Sequence, residues 1–126
     1  MIKSLTDRNG LQSRKFSFVE ICYFDLYWND ITEKEKAVVK MLVKDGKLQF
    51  ISGGWVMNDE ATPHYSMIID QMSLGHQWIN RTFGPQVLPT TGWQIDPFGH
   101  SREYASILSQ MGFNGLFLDR IDSQVM

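Results

Sequence analysis

Gly92-Trp93-Gln94-Ile95-Asp96-Pro97-Phe98-Gly99-His100-Ser101 reads as a strand that stops at a carboxylate, turns through Pro and Gly, and enters a helix at a Ser cap. In sheets built from β-then-α units, active sites gather beyond the carboxyl ends of the strands. Asp96 falls at such an end. Trp93, Ile95 and Phe98 flank it, so the carboxylate is expected against apolar walls, a setting that tunes catalytic groups. The same pattern also describes a plain turn and helix-entry residue, and this stretch alone leaves both readings open.

Thr90 to Ile95 is the third of four expected strands. The first covers residues 16–24, rich in aromatic and β-branched side chains, with Cys22 inside it as a buried, inert thiol. The second runs from Leu48 to Ser52 and stops at Gly53-Gly54. The fourth is Leu116-Phe117-Leu118, followed by Asp119-Arg120. Helices fill the intervals. Thr32-Glu33-Lys34-Glu35 is a capping box; Val38, Val39, Leu42 and Val43 follow at helical spacing, and Gly46 supplies a left-handed stop. Thr62-Pro63 opens a second helix, with Pro at the first helical position and Tyr65, Ile68, Met72 and Ile79 on one face; Gly84-Pro85 ends it. Ser101 caps a third, with Tyr104, Ile107, Leu108 and Met111 on one face and Gly112 after it. Met41, Met57, Met67, Met72 and Met111 read as core filler.

The order β-α-β-α-β-α-β predicts an α/β fold with parallel strands and right-handed crossovers. Residues 1–126 show no linker, repeat or low-complexity tract and so no internal domain boundary. Parallel strands bring their carboxyl ends to one rim. Tyr27 and Trp28, then Trp55, Asn58, Asp59 and Glu60, then Asp96 and Phe98, then Arg120 are expected there.

Composition bounds the function. The chain has 126 residues, 43% hydrophobic and 13% aromatic, enough core material for about one domain. A net charge of -2 without a basic stripe argues against nucleic acid. No apolar run approaches the roughly 20 residues of a membrane span, and the start lacks the apolar run of a signal peptide. The single Cys excludes an internal disulfide. Asn80-Arg81-Thr82 is an N-glycosylation sequon, which points towards a lumenal or secreted setting.

Rings and carboxylates on one rim suit a sugar. Aromatic faces stack on the apolar faces of a pyranose, and glycoside cleavage needs a pair of carboxyl groups. Asp96 is the candidate nucleophile, with Arg120 one strand over as the cation that favours its charged form. Simpler readings stand beside these. Asn58-Asp59-Glu60 before a helix suits capping. Arg120 suits a surface pair with Asp119 or Asp122. His64, His76 and His100 are not at metal-ligand spacing and suit helix-face or supporting roles.

Gly53-Gly54-Trp55-Val56-Met57-Asn58-Asp59-Glu60-Ala61, His64-Tyr65 and Trp93 to Ser101 resemble the α-mannosidases of glycoside hydrolase family 38. Met57 to Ala61 and Ser101-Arg102-Glu103 resemble the lysosomal type more than the Golgi type. The resemblance runs from about Arg14 to Asp122. It implies a zinc-dependent retaining enzyme that removes terminal α-mannose from glycoprotein N-glycans, and a catalytic domain that is an irregular seven-stranded α/β barrel, with this chain a fragment of it. It implies that Asp96 is both nucleophile and zinc ligand, that Phe98 lines the sugar subsite, and that Arg120 lies beside the nucleophile. It implies, too, a lysosomal or secreted location and the rest of the enzyme's own chain as a partner, because the family's other zinc ligands and its general acid have no match here. The isolated fragment is therefore expected to be inactive. Two further readings remain: a sugar-binding truncated product using Trp55, Phe98 and Asp96, and a metal-dependent carbohydrate deacetylase on a related barrel.

Overall fold

The computed structural model describes residues 2–6 and 14–121. Its elements are α1 (Ile2–Thr6), β1 (Phe16–Phe18), α2 (Ile21–Asp30), α3 (Glu33–Lys44), β2 (Leu48–Phe50), α4 (Tyr65–Phe83), a 3-10 turn (Pro85–Val87), β3 (Thr91–Gln94), α5 (Arg102–Gln110) and β4 (Gly115–Leu118). β1 pairs in parallel with β2, Phe16 opposite Leu48. β3 pairs in parallel with β4, Thr91 opposite Gly115. The expected α/β class and strand direction hold. The described residues form two strand pairs rather than a closed barrel.

Ser52 joins the pairs. Its backbone N–H donates to Thr91 O at 2.8 Å. Its Oγ accepts from Trp93 N–H at 2.7 Å and lies 3.3 Å from Trp93 O. One side chain thus takes the place of a peptide unit between β2 and β3. Ser52 sits at φ 57°, in the left-handed region that side chains rarely occupy. His76 Nε2, on α4, lies 2.9 Å from Ser52 O; a carbonyl only accepts, so this nitrogen carries the ring proton.

The first expected strand is too long. It ends at Phe18, and Ile21 to Phe24 open α2. The Ile21 and Cys22 N–H groups donate to Gly54 O and Trp55 O, so the loop after β2 satisfies the helix start. Ile21 and Phe24, three apart, are both fully buried, a helical spacing that overrides their β preference. Cys22 therefore lies on a helix; partial burial raises its thiol pKa, and Glu20 adds to that, which keeps it inert.

The capping signals hold better. Thr32 and Glu35 form the reciprocal box, Gly46 and Gly112 take φ 66° and 87°, and Ser101 caps α5 through Tyr104 N–H. The start of α4 is displaced: it begins at Tyr65 with His64 as its cap, because Thr62 is held in the preceding turn by Asp59 Oδ2 at 2.6 Å. Tyr65 is exposed while Ile68, Met72 and Ile79 are buried. Of the methionines expected in the core, Met72 is buried, but Met41 and Met67 are exposed.

Two apolar clusters result. One gathers Leu5, Ile21, Phe24, Val39, Leu42, Leu48, Phe50, Trp78 and Ile79 around β1 and β2. The other gathers Ile68, Met72, Tyr104, Ile107, Leu108 and Phe113 behind β3 and β4.

Candidate functional site

β3 ends at Gln94 and β4 at Leu118, so Asp96 and Arg120 each stand two residues beyond the tip of neighbouring parallel strands. Arg120 Nη2 donates to Asp96 Oδ1 in a close ion pair. This selects between the readings of Arg120: its partner is Asp96, one strand over. Asp122 lies outside the described residues. Both side chains remain open to solvent, Asp96 at 57% and Arg120 at 62% exposure. Arg120 bonds Oδ1, which leaves Oδ2 free for another contact.

The apolar walls expected around Asp96 are absent among the described residues. Ile95 is 38% and Phe98 75% exposed. Pro97 is buried, so the turn is anchored at its proline while the residues on either side face outward. The Phe98 ring stands free on the same turn.

Tyr27 and Trp28 do not reach this rim. They lie on later turns of α2 and pack into the aromatic cluster, with Trp28 5.3 Å from Phe83 at the far end of α4. The reason is the early start of α2, which carries them down the helix instead of leaving them on a strand-end loop.

The loop after β2 is held by polar bonds from three elements. Trp55 N–H donates to Gln71 O on α4. Val56 N–H donates to Gln71 Oε1 at 3.1 Å, and Gln71 Nε2 donates to Asn58 Oδ1 at 2.7 Å. Met57 N–H donates to Glu20 Oε1. Gln94 Nε2, at the end of β3, donates to Asn58 O at 2.8 Å. Gly75 lets α4 approach this loop: a Cβ there would sit 2.1 Å from Gly53 O.

Asp59 does not cap α4, whose cap is His64; it holds the turn before it. It accepts from Ala61 N–H at 3.0 Å and from Thr62 Oγ1, and these bonds, led by the Thr62 hydroxyl, lower its pKa. Glu60 does something the sequence did not show. It is 4% exposed. Its Oε1 lies 2.7 Å from His100 Nδ1 and accepts from Ser101 N–H at 3.1 Å. His100 Nε2 lies 2.8 Å from Arg120 O. Glu60 and His100 are 40 positions apart, and no local pattern links them. Beside them Tyr104 is buried at 3% exposure; burial pushes its phenol up to about 12, and the Glu60 charge adds to the shift. A cavity of about 300 Å³ adjoins, lined by Glu60, His100, Tyr104, Leu116 and Leu118 among others.

Among the described residues no group of three His, Cys, Asp or Glu side chains stands together to hold a metal ion, and the longest helix is not apolar enough to cross a membrane. Asn80 is exposed on the last turn of α4.

A carboxylate and a guanidinium are presented together from the carboxyl ends of adjacent parallel strands, the end at which α/β proteins carry their sites. The sequence profile of the glycosyl hydrolases family 38 N-terminal domain matches residues 2–125. The chain belongs to that family. Lysosomal alpha-mannosidase of Mus musculus is 52% identical over 112 residues, which cover 89% of this chain and 11% of that protein. The Homo sapiens counterpart is 51% identical over 112 residues. An alpha-mannosidase of Arabidopsis thaliana is 49% identical over 125 residues, 98% of this chain and 12% of its own length. The chain thus spans 11% to 12% of the length of these relatives.

Proposed function

We propose that this chain is the part of a lysosomal-type α-mannosidase catalytic domain that carries the nucleophile, within a seven-stranded α/β barrel that hydrolyses terminal α-mannose residues of glycoprotein N-glycans. The observation that carries the reading is the Asp96–Arg120 pair at the tips of β3 and β4, in a chain of this family.

In this role the free Oδ2 of Asp96 attacks the anomeric carbon. The glycosidic bond breaks, a general acid from elsewhere in the enzyme protonates the departing oxygen, and water later hydrolyses the glycosyl–Asp96 ester with retention. Arg120 holds Oδ1 and so fixes the rotamer from which Oδ2 attacks. Phe98 offers an exposed ring face to the sugar. An exposed sequon at Asn80 and the lysosomal relatives support a lumenal, lysosomal setting.

Zinc is the cofactor this reading implies. A catalytic zinc takes about three protein ligands. The described residues do not make such a site, and Asp96 faces a guanidinium. Asp96 is the one ligand this chain would contribute, and a metal bound there would hold sugar hydroxyls and help distort the ring. With one carboxylate of the pair and no complete metal site, the chain by itself is proposed to be inactive.

The test exchanges the matching segment of a full-length lysosomal alpha-mannosidase for residues 14–121 of this chain and follows nitrophenol release from a nitrophenyl α-mannoside. The chimera is expected to turn over, and Asp96→Asn to lower kcat by about 10³-fold or more, as loss of a nucleophile does. An Asp96→Asn chimera as fast as its parent would overturn the assignment. Turnover by the 126-residue chain alone would overturn the proposed inactivity.

A further inference from the structure

We propose that Glu60 and His100 form a positioning pair: a clamp that ties the loop after β2 to the end of β4 and so sets where the Arg120 guanidinium meets Asp96. The proposal rests on the reading of Asp96 as nucleophile and assigns residues that act on it at one remove.

The Arg120 carbonyl only accepts, so His100 Nε2 donates to it across 2.8 Å. The Glu60 carboxylate also only accepts, so Nδ1 donates across 2.7 Å. Both ring nitrogens of His100 thus have a partner, one of them a carboxylate whose side chain is 3% exposed. A buried carboxylate without such a partner is strongly disfavoured. Ser101 N–H donates to the same Oε1 at 3.1 Å. Neighbouring charged and titratable groups are Asp59 on the same loop, Arg102 and Tyr104 on α5, and the Arg120–Asp96 pair itself.

The geometry makes this more than a local cap. Glu60 holds the entrance of α5 through Ser101 and the end of β4 through His100. Asp96 lies on the segment that joins β3 to that same helix entrance. Both ends of the Asp96–Arg120 pair are therefore referred to one buried carboxylate. Neither Asp96 nor Arg120 is held by surrounding packing, since both side chains are more than half exposed. Their mutual placement depends on the backbone at each strand tip, which the clamp fixes. Loss of such a supporting partner typically costs 10- to 100-fold in activity where the supported group is a ligand, and small misplacements of reacting groups have effects of that size.

The test measures kcat and KM in the segment-exchange chimera bearing Glu60→Gln, His100→Ala, both together, and each in an Arg120→Ala background. Each single change is expected to lower kcat about 10- to 100-fold with KM little moved. The double change should lower kcat no further than either alone, because the pair acts as a unit. In the Arg120→Ala background both effects should shrink, because the part carried through the guanidinium is already lost and only the placement of Asp96 still depends on the clamp. A merely structural role predicts losses of full size there, and that result, or an unchanged kcat in His100→Ala, would overturn the proposal. If a variant fails to fold, nitrogen NMR of the unaltered 126-residue chain decides the geometry: a proton on His100 Nε2 is expected, and a bare Nε2 refutes the clamp. Asp96→Asn run alongside separates the two readings. Full activity there removes the nucleophile assignment, whereas a dead Asp96→Asn enzyme with a normal His100→Ala enzyme removes the clamp alone.

Discussion

The β1–β2 half and the β3–β4 half of this chain share one topology, a parallel pair bridged by helix, but they hold themselves together differently. Around β1 and β2 the aromatic rings converge. Phe24 is fully buried and has Phe18, Tyr27, Trp28, Phe50, Trp78 and Phe83 within 5.1 to 6.4 Å between ring centroids. The polar end of Trp78 is satisfied inside the cluster by Asp25 Oδ1 at 2.6 Å. On β4, by contrast, Phe117 is 57% and Leu118 37% exposed. The rim of that half is fixed by directional bonds: Ser52 to Trp93, Gln94 to Asn58, Glu60 to His100 and Ser101, Arg120 to Asp96. Apolar packing tolerates small shifts at modest cost, whereas a hydrogen bond weakens steeply with angle and distance. A site that must aim two side chains at one point is better set by the second kind of restraint.

The largest loss of stability is expected from the aromatic half. Phe24→Ala removes the ring at the centre of the cluster and is expected to cost about 3–5 kcal/mol. That is a large part of the roughly 5–15 kcal/mol that domains of this size possess. Urea denaturation of the chain followed by Trp fluorescence measures it. A cost below about 1 kcal/mol would mean that the cluster is not the stabilising centre.

The same contrast explains what could be read in advance. Capping chemistry is local, so Thr32, Gly46, Ser101 and Gly112 were legible from a few neighbours each. The Asp96–Arg120 pair was legible because consecutive parallel strands must bring their tips together. The change from β1 to α2 was not: Phe16, Phe18, Ile21 and Phe24 are all strong β formers, and the helix is selected by the burial of Ile21 and Phe24 three apart together with the partners that Gly54 and Trp55 offer to the Ile21 and Cys22 N–H groups. Glu60 was unreadable for the opposite reason. An acid three residues before Pro63 looks like a helix-start charge, and its actual partner comes from a loop 40 positions away. The onset of α4 lies at Tyr65 and not at Thr62-Pro63 because Asp59 claims Thr62 for a turn.

A second prediction probes the polar half through pH. Burial raises the Tyr104 phenol to about 12 in the folded chain, against an ordinary value of 10.0. The folded state thus keeps a proton that the unfolded chain releases between these values. Its stabilising contribution is whole below about pH 10 and is lost as pH rises towards 12. With 1.36 kcal/mol per unit, the loss amounts to about 2–3 kcal/mol. Tyr104→Phe has no such proton. The difference in denaturation free energy between the two proteins, followed from pH 9 to 11.5, should change in favour of the Phe variant as pH rises. A constant difference would place the phenol in water and the second cluster out of contact with it.

The smallest effect sharpens the comparison most, because it applies the same chemical change to each half. Thr32 and Ser101 both cap helices, accepting from Glu35 N–H and Tyr104 N–H at 3.4 Å in each case. Replacing either by Ala is expected to cost about 1 kcal/mol. Thr32 belongs to a capping box on an exposed helix start, so its loss should register only as stability. Ser101 also presents the backbone N–H that Glu60 binds. Fraying of that turn in Ser101→Ala would loosen Glu60 and, through His100, the end of β4. In the segment-exchange enzyme, Thr32→Ala should therefore leave kcat unchanged, whereas Ser101→Ala should lower it by several-fold at a similar cost in stability. Equal kcat in the two variants would show that the helix entrance and the Asp96–Arg120 pair are independent, and that the polar half is held no more strictly than the aromatic one.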